Sequence, residues 1–184
     1  MLNLNVDEIA KTYLSQAEDL FGPMVSSWKY RGIEYHDHPP HLTYYPETAD
    51  VVISLSERTL NDDIQLRFQL SHEICHMLYP AMDIRSLKLD KVNVLNEGVS
   101  TLFSIIVFDD SEVMGFIVQN LQKHNANYYD AFILVKSLLS TNIRAIKDLR
   151  NLEPFINRLN PAHFSKAGIE ISDSSISKLL QEFR

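Results

Sequence analysis

Apolar residues at Val6, Ile9, Ala10, Tyr13, Ala17, Leu20 and Phe21 recur every three or four positions, so the chain begins with the pattern of an amphipathic helix over Val6–Phe21. Gly22-Pro23 ends it. From Val25 to Ser56 the rhythm shortens. Trp28, Tyr30, Ile33 and Tyr35 alternate with polar neighbours around Gly32, and Leu42–Tyr45 and Val51–Leu55 follow as further strand-like runs. Pro39-Pro40 and Pro46 punctuate the three segments as turns. The pattern predicts a small, mostly antiparallel sheet.

Helical spacing returns at Ile64 and nothing breaks it until Pro80. Ile64, Phe68, Ile74, Cys75 and Leu78 make this helix apolar over most of its girth, as expected of a core helix. Gln65, Gln69, His72 and His76 form a polar seam on it, while Cys75 faces away from the histidines and reads as core filling. The stretch from Ala81 to Lys91 is a mixed-charge connector. A second buried helix carries Glu97 and runs to about Phe108; Gly98 within it reads either as a place of close helix approach or as a weak spot. The rest is helical: Ser111–Lys123, Tyr128–Ser140, Asn142–Leu159 with a break at Pro154, and Ser174–Phe183, the last capped by Asp173 or Ser174. Strands followed by helices make the class α+β.

Composition narrows the functions available. At 184 residues the chain fits one domain, or one domain with two lobes, and can bury a substantial core. A net charge of −7 leaves no basic face for phosphates, so nucleic acid is not an expected partner. One cysteine forms no intrachain disulfide, which points to a reducing compartment. No basic-then-apolar leader and no run of 18 apolar residues occurs, so neither export nor membrane spanning is expected, and the expected location is cytoplasmic.

The chemistry lies in His72-Glu73-Ile74-Cys75-His76, which has the pattern His-Glu-x-x-His. Residues four apart share one helix face, so His72 and His76 project side by side and can bind one metal ion, Zn²⁺ being the usual occupant. Glu73 stands about 100° around the helix from His72, which suits a carboxylate that takes a proton from metal-activated water instead of ligating the metal. Two histidines leave a metal short of a protein ligand, and Glu97, 97 − 76 = 21 positions after the second histidine, can supply it. The stretch His36-Asp37-His38-Pro39-Pro40-His41 reads as a solvated turn, with a loop over the cleft or a second metal site as the alternatives.

His-Glu-x-x-His followed by Asn96-Glu97-Gly98 at the start of a helix resembles the gluzincin zinc metallopeptidases, over roughly Asp50 to Phe108. The resemblance implies a zincin-like fold, with the small sheet packed on the active-site helix and a helical C-terminal lobe. Residues 1–184 would then be a single metallopeptidase-like domain, 1–80 forming the N-terminal lobe and 81–184 the C-terminal one. It implies His72, His76 and Glu97 as metal ligands, Zn²⁺ as cofactor, Glu73 as general base and a peptide or protein as substrate. Aminopeptidase-type members stabilise the oxyanion with a Tyr in a pattern like Tyr-x-x-Gly. Tyr128 fits by spacing with Ala131 in place of the Gly, and Tyr129, His163 and His124 remain alternatives. Thermolysin-like members also carry an Asp one turn after the glutamate ligand, where this chain has Ser100 and Thr101. The expected function is zinc-dependent hydrolysis of peptide bonds. The alternative is a binding or regulatory module on the same fold, and the sequence does not bear on oligomeric state.

Overall fold

The computed structural model describes residues 5–184. Helix α1 spans Val6–Phe21, the bounds its apolar spacing predicts, with Ala10, Tyr13, Ala17 and Phe21 buried. Leu20 departs from that expectation and is 44% exposed. Three strands follow: β1 (Lys29–His36), β2 (His41–Tyr45) and β3 (Asp50–Ser56).

The sheet is mixed, not mostly antiparallel. Its order is β1-β3-β2, with β3 parallel to β1 and antiparallel to β2. A tight turn between β1 and β2 would have made them neighbours, but the link between them contains Pro39-Pro40, which lacks N–H donors and stays extended. The central place goes to β3 because it is the most apolar strand. Val51, Ile53 and Leu55 are fully buried and even Ser54 is almost so, as in a strand covered on both faces. β2 is left at one edge.

Helix α2 spans Asp63–Leu78 and is started by Asp62, whose side chain accepts the Gln65 N–H at 3.0 Å. It lies between α1, β3 and the next long helix, α3 (Val94–Ile106), and is buried around most of its circumference. Between them the 81–91 connector folds as a short hairpin of β4 (Met82–Asp83) and β5 (Lys88–Leu89). Helix α3 is buried from Val94 to Ile105, with α4 (Ser111–His124) and α5 (Ala126–Thr141) against it. Gly98 is a point of close approach: a Cβ there would stand 2.4 Å from the Ala131 carbonyl oxygen and 2.6 Å from Val135 Cγ2.

The C-terminal part divides more finely than its periodicity suggests. The expected helix over 142–159 is α6 (Ala145–Leu152) plus a single turn, Ile156–Arg158, because Pro154 removes a helical donor. A further helix, α7 (Pro161–Lys166), opens on an Asn160–His163 capping box with Pro161 at its first position. The last helix, α8 (Asp173–Leu180), is capped by Ser172 instead of Asp173 or Ser174 and ends before Phe183. One hydrophobic cluster runs from Ala10 on α1 to Leu179 on α8, so residues before and after Pro80 share a core. Arg150 is buried at that junction. Its guanidinium donates to the carbonyls of Phe21, Gly22, Pro23 and Leu78 at 2.6–2.9 Å, tying the ends of α1 and α2 together. Among the described residues, no helix is long and apolar enough to cross a membrane.

Candidate metal centre

The seam of α2 faces the first turn of α3. His72 Nε2 and His76 Nε2 are 3.1 Å apart, and Glu97 Oε2 is 3.2 Å from the first and 3.6 Å from the second. Two ligands of a tetrahedral ion at about 2.0–2.1 Å stand roughly 3.3 Å from each other, so the three atoms have a spacing that one metal ion could bridge. These residues are the group among the described ones able to hold a metal ion. All three side chains are at least four-fifths buried.

Hydrogen bonding fixes which imidazole nitrogens face inward. Ser104 Oγ gives its proton to the Ser100 carbonyl at 2.7 Å, so toward His72 Nδ1, 3.4 Å away, it can only accept. His72 Nδ1 therefore carries a proton, and Nε2 keeps its lone pair in the neutral ring. For His76 the partner is Asn96 Oδ1, 2.7 Å from Nδ1, with Ser100 Oγ at 3.3 Å. The neutral forms thus turn two nitrogen lone pairs and a carboxylate oxygen toward one point, and Glu97 Oε2 is buried without a hydrogen-bond partner. Three acceptors so close need a cation or a proton between them. Burial opposes charge on His76, but Glu97 facing it prevails and raises its pKa to about 9. Burial likewise disfavours a charged Glu97, yet positive charge on His76 and hydrogen bonds from the two rings, as they stand with a proton between them, hold its carboxyl well below the usual carboxylate range. The residues present fit a divalent metal ion.

Asn96 and Ser104 are the site residues that sequence reasoning missed. Ser100 and Thr101 stand where the resembling family carries an Asp. Ser100 does approach His76, but the Thr101 hydroxyl is buried without a partner. The available signal was adjacency, since Asn96 precedes Glu97 and Ser104 lies two helical turns beyond it on α3.

The three residues stand in a cleft of about 320 Å³ that also takes in Glu73, Asn96 and Tyr128. Burial raises the pKa of Glu73 despite the neighbouring histidines, which favours a carboxylate ready to take up a proton. Tyr128, at the start of α5, has its ring 6.0 Å from that of His72 and 4.8 Å from that of Phe183. Burial, with Glu97 and Glu73 nearby, pushes its hydroxyl up to about 12, so it remains a donor at neutral pH. The other oxyanion candidates lie outside the cleft lining. Tyr129 packs toward Phe132, His163 accepts the Asn160 N–H in the cap of α7, and His124 is exposed at the end of α4.

The opposite wall is formed by Pro39, Pro40 and the β2 residues His41, Leu42 and Tyr44. The 36–41 stretch is thus only partly the solvated turn expected: Asp37 and His38 are exposed, while the residues after them border the cleft. Cys75 is fully buried, as its place on the helix predicts. Comparison of the chain with protein-family models, with curated proteins and with solved structures finds no match.

Proposed function

We propose that the chain is a zinc-dependent metallopeptidase of gluzincin type with a zincin-like fold, hydrolysing peptide bonds in the cleft between β2 and α2. The observation that carries this reading is the convergence of His72 Nε2, His76 Nε2 and Glu97 Oε2 at 3.1–3.6 Å beside the buried Glu73. Bound Zn²⁺ would supply Lewis-acid polarisation of water and of the scissile carbonyl. Glu73 accepts the proton released as the water oxygen bonds to the carbonyl carbon, then delivers it to the amine as the C–N bond breaks. The Tyr128 hydroxyl donates to the oxygen on which negative charge develops. β2 pairs with β3 on one side only, so its other edge can hydrogen-bond an extended peptide. An edge strand that lines the cleft with His41, Leu42 and Tyr44 favours an extended peptide over a compact metabolite as the substrate.

Two measurements on the same preparations test the proposal. Elemental analysis is expected to find about one Zn²⁺ per chain, lost in His76→Ala and kept in Glu73→Gln. Turnover of a peptide library is expected to be abolished by chelator and reduced about 10²- to 10⁴-fold in Glu73→Gln, since an amide cannot accept the proton. Equal zinc in wild type and His76→Ala refutes the ligand set. Equal cleavage by wild type and Glu73→Gln refutes the mechanism. Bound zinc with no cleavage by either protein favours a binding module on the same scaffold.

A further inference from the structure

The hydrogen bond that orients His76 does not end at Asn96. Asn96 Nδ2 donates to Asn157 Oδ1 at 3.0 Å, and the same oxygen accepts the backbone N–H of Asn93 at 3.1 Å. Asn157 lies 61 positions beyond Asn96, on the turn Ile156–Arg158, so this contact reaches the metal centre from the far part of the chain.

The protons along this path can be assigned from one end. A backbone N–H only donates, so Asn157 must present its oxygen to Asn93. That oxygen also faces Asn96, which must therefore turn its NH₂ group toward Asn157. The Asn96 oxygen is then left facing His76, and His76 Nδ1 must carry the proton. The flip state of one amide thereby selects which His76 nitrogen carries the proton, and so whether Nε2 turns a lone pair or an N–H toward Glu97. We propose that Asn157 is a positioning residue of the metal centre, holding Asn96 in the one orientation that leaves His76 Nε2 free to bind the ion; this rests on the metal reading above.

The turn itself has other anchors. Asn93 Nδ2 donates to the Ile156 carbonyl at 3.0 Å, and Arg158 pairs with Asp90 at 2.6 Å and Asp83 at 3.0 Å. Losing the Asn157 side chain therefore frees Asn96 to rotate without releasing the turn. Asn157 Nδ2 is buried with no partner, so the oxygen alone carries the role. A carboxylate in its place accepts the same two N–H groups.

The test measures metal affinity instead of catalysis. Zinc affinity is obtained by competition with a chromophoric chelator for wild type, Asn157→Leu and Asn157→Asp, and the visible absorption of the Co²⁺-loaded proteins reports ligand geometry. Asn157→Leu is expected to weaken zinc binding about 10- to 100-fold and to alter the cobalt spectrum. Asn157→Asp is expected to restore both. Melting curves check folding, and Asn157→Ala replaces the Leu variant should that one not fold. Wild-type affinity and spectrum in Asn157→Leu overturn the inference, as does an Asn157→Asp protein as impaired as Asn157→Leu. A wild-type protein that takes up neither ion overturns the metal reading, and this inference with it; binding by wild type with no effect of Asn157→Leu overturns this inference alone.

Discussion

Replacing Gly98 by Ala should destabilise the protein although Ala is the better helix former. The new Cβ would lie 2.4 Å from the Ala131 carbonyl oxygen, a backbone atom with no rotamer by which to move aside. Relief requires α3 and α5 to separate by roughly 1 Å along their packed length. Overpacking of this kind costs up to about 3 kcal/mol, and the gain from replacing a mid-helix Gly returns about 1 kcal/mol, leaving a net loss near 2 kcal/mol. For a chain of this length that lowers Tm by about 4–8 °C. Gly115 on α4 supplies an internal control, because nothing lies within 4 Å of a Cβ built there and the same substitution should stabilise. The effect should also reach the site, since Gly98 follows Glu97 directly and α5 carries Tyr128 one turn before Ala131. Thermal unfolding by circular dichroism and zinc affinity are measured on both variants. A Gly98→Ala protein that melts at or above the wild-type temperature would refute the close crossing of α3 and α5.

Tyr128→Phe should keep zinc and lower kcat by about 10²-fold, because the hydroxyl is lost while the ring stays on Phe183; unchanged kcat removes Tyr128 from the mechanism. Arg150→Met should destabilise by about 3 kcal/mol or more, since it keeps the side-chain stem and strands the carbonyls of Phe21, Gly22, Pro23 and Leu78. Denaturant titration measures that loss, and one below about 1 kcal/mol would mean that water replaces the guanidinium.

Much of the site is legible in the sequence because its geometry is local. Four-residue spacing on one helix sets His72 and His76 together whatever surrounds them, and Pro80 and Gly22-Pro23 end helices by their own stereochemistry. The bounds of α1 and the burial of Cys75 follow from periodicity in the same way. Glu97 is a longer step, since 21 positions of chain fix neither distance nor direction, and the packing of α3 on α2 brings its carboxylate within 3.2 Å of His72. Strand order is not local at all. β3 takes the centre because its run of buried residues needs cover on both faces, a comparison among strands that no single strand's alternation contains. The same holds for the wall made by Pro39, Pro40 and His41, whose polar composition reads as solvated until β2 is set at the sheet edge facing α2. Asn157 is the extreme case. An Asn after a broken helix looks like any turn residue, and only the folded chain brings its oxygen to Asn96 and so to His76. Spacing along one helix determined the chemistry available, whereas the orientation of each reactive atom depended on partners distant in sequence, because a hydrogen bond is specified by position in space and not along the chain.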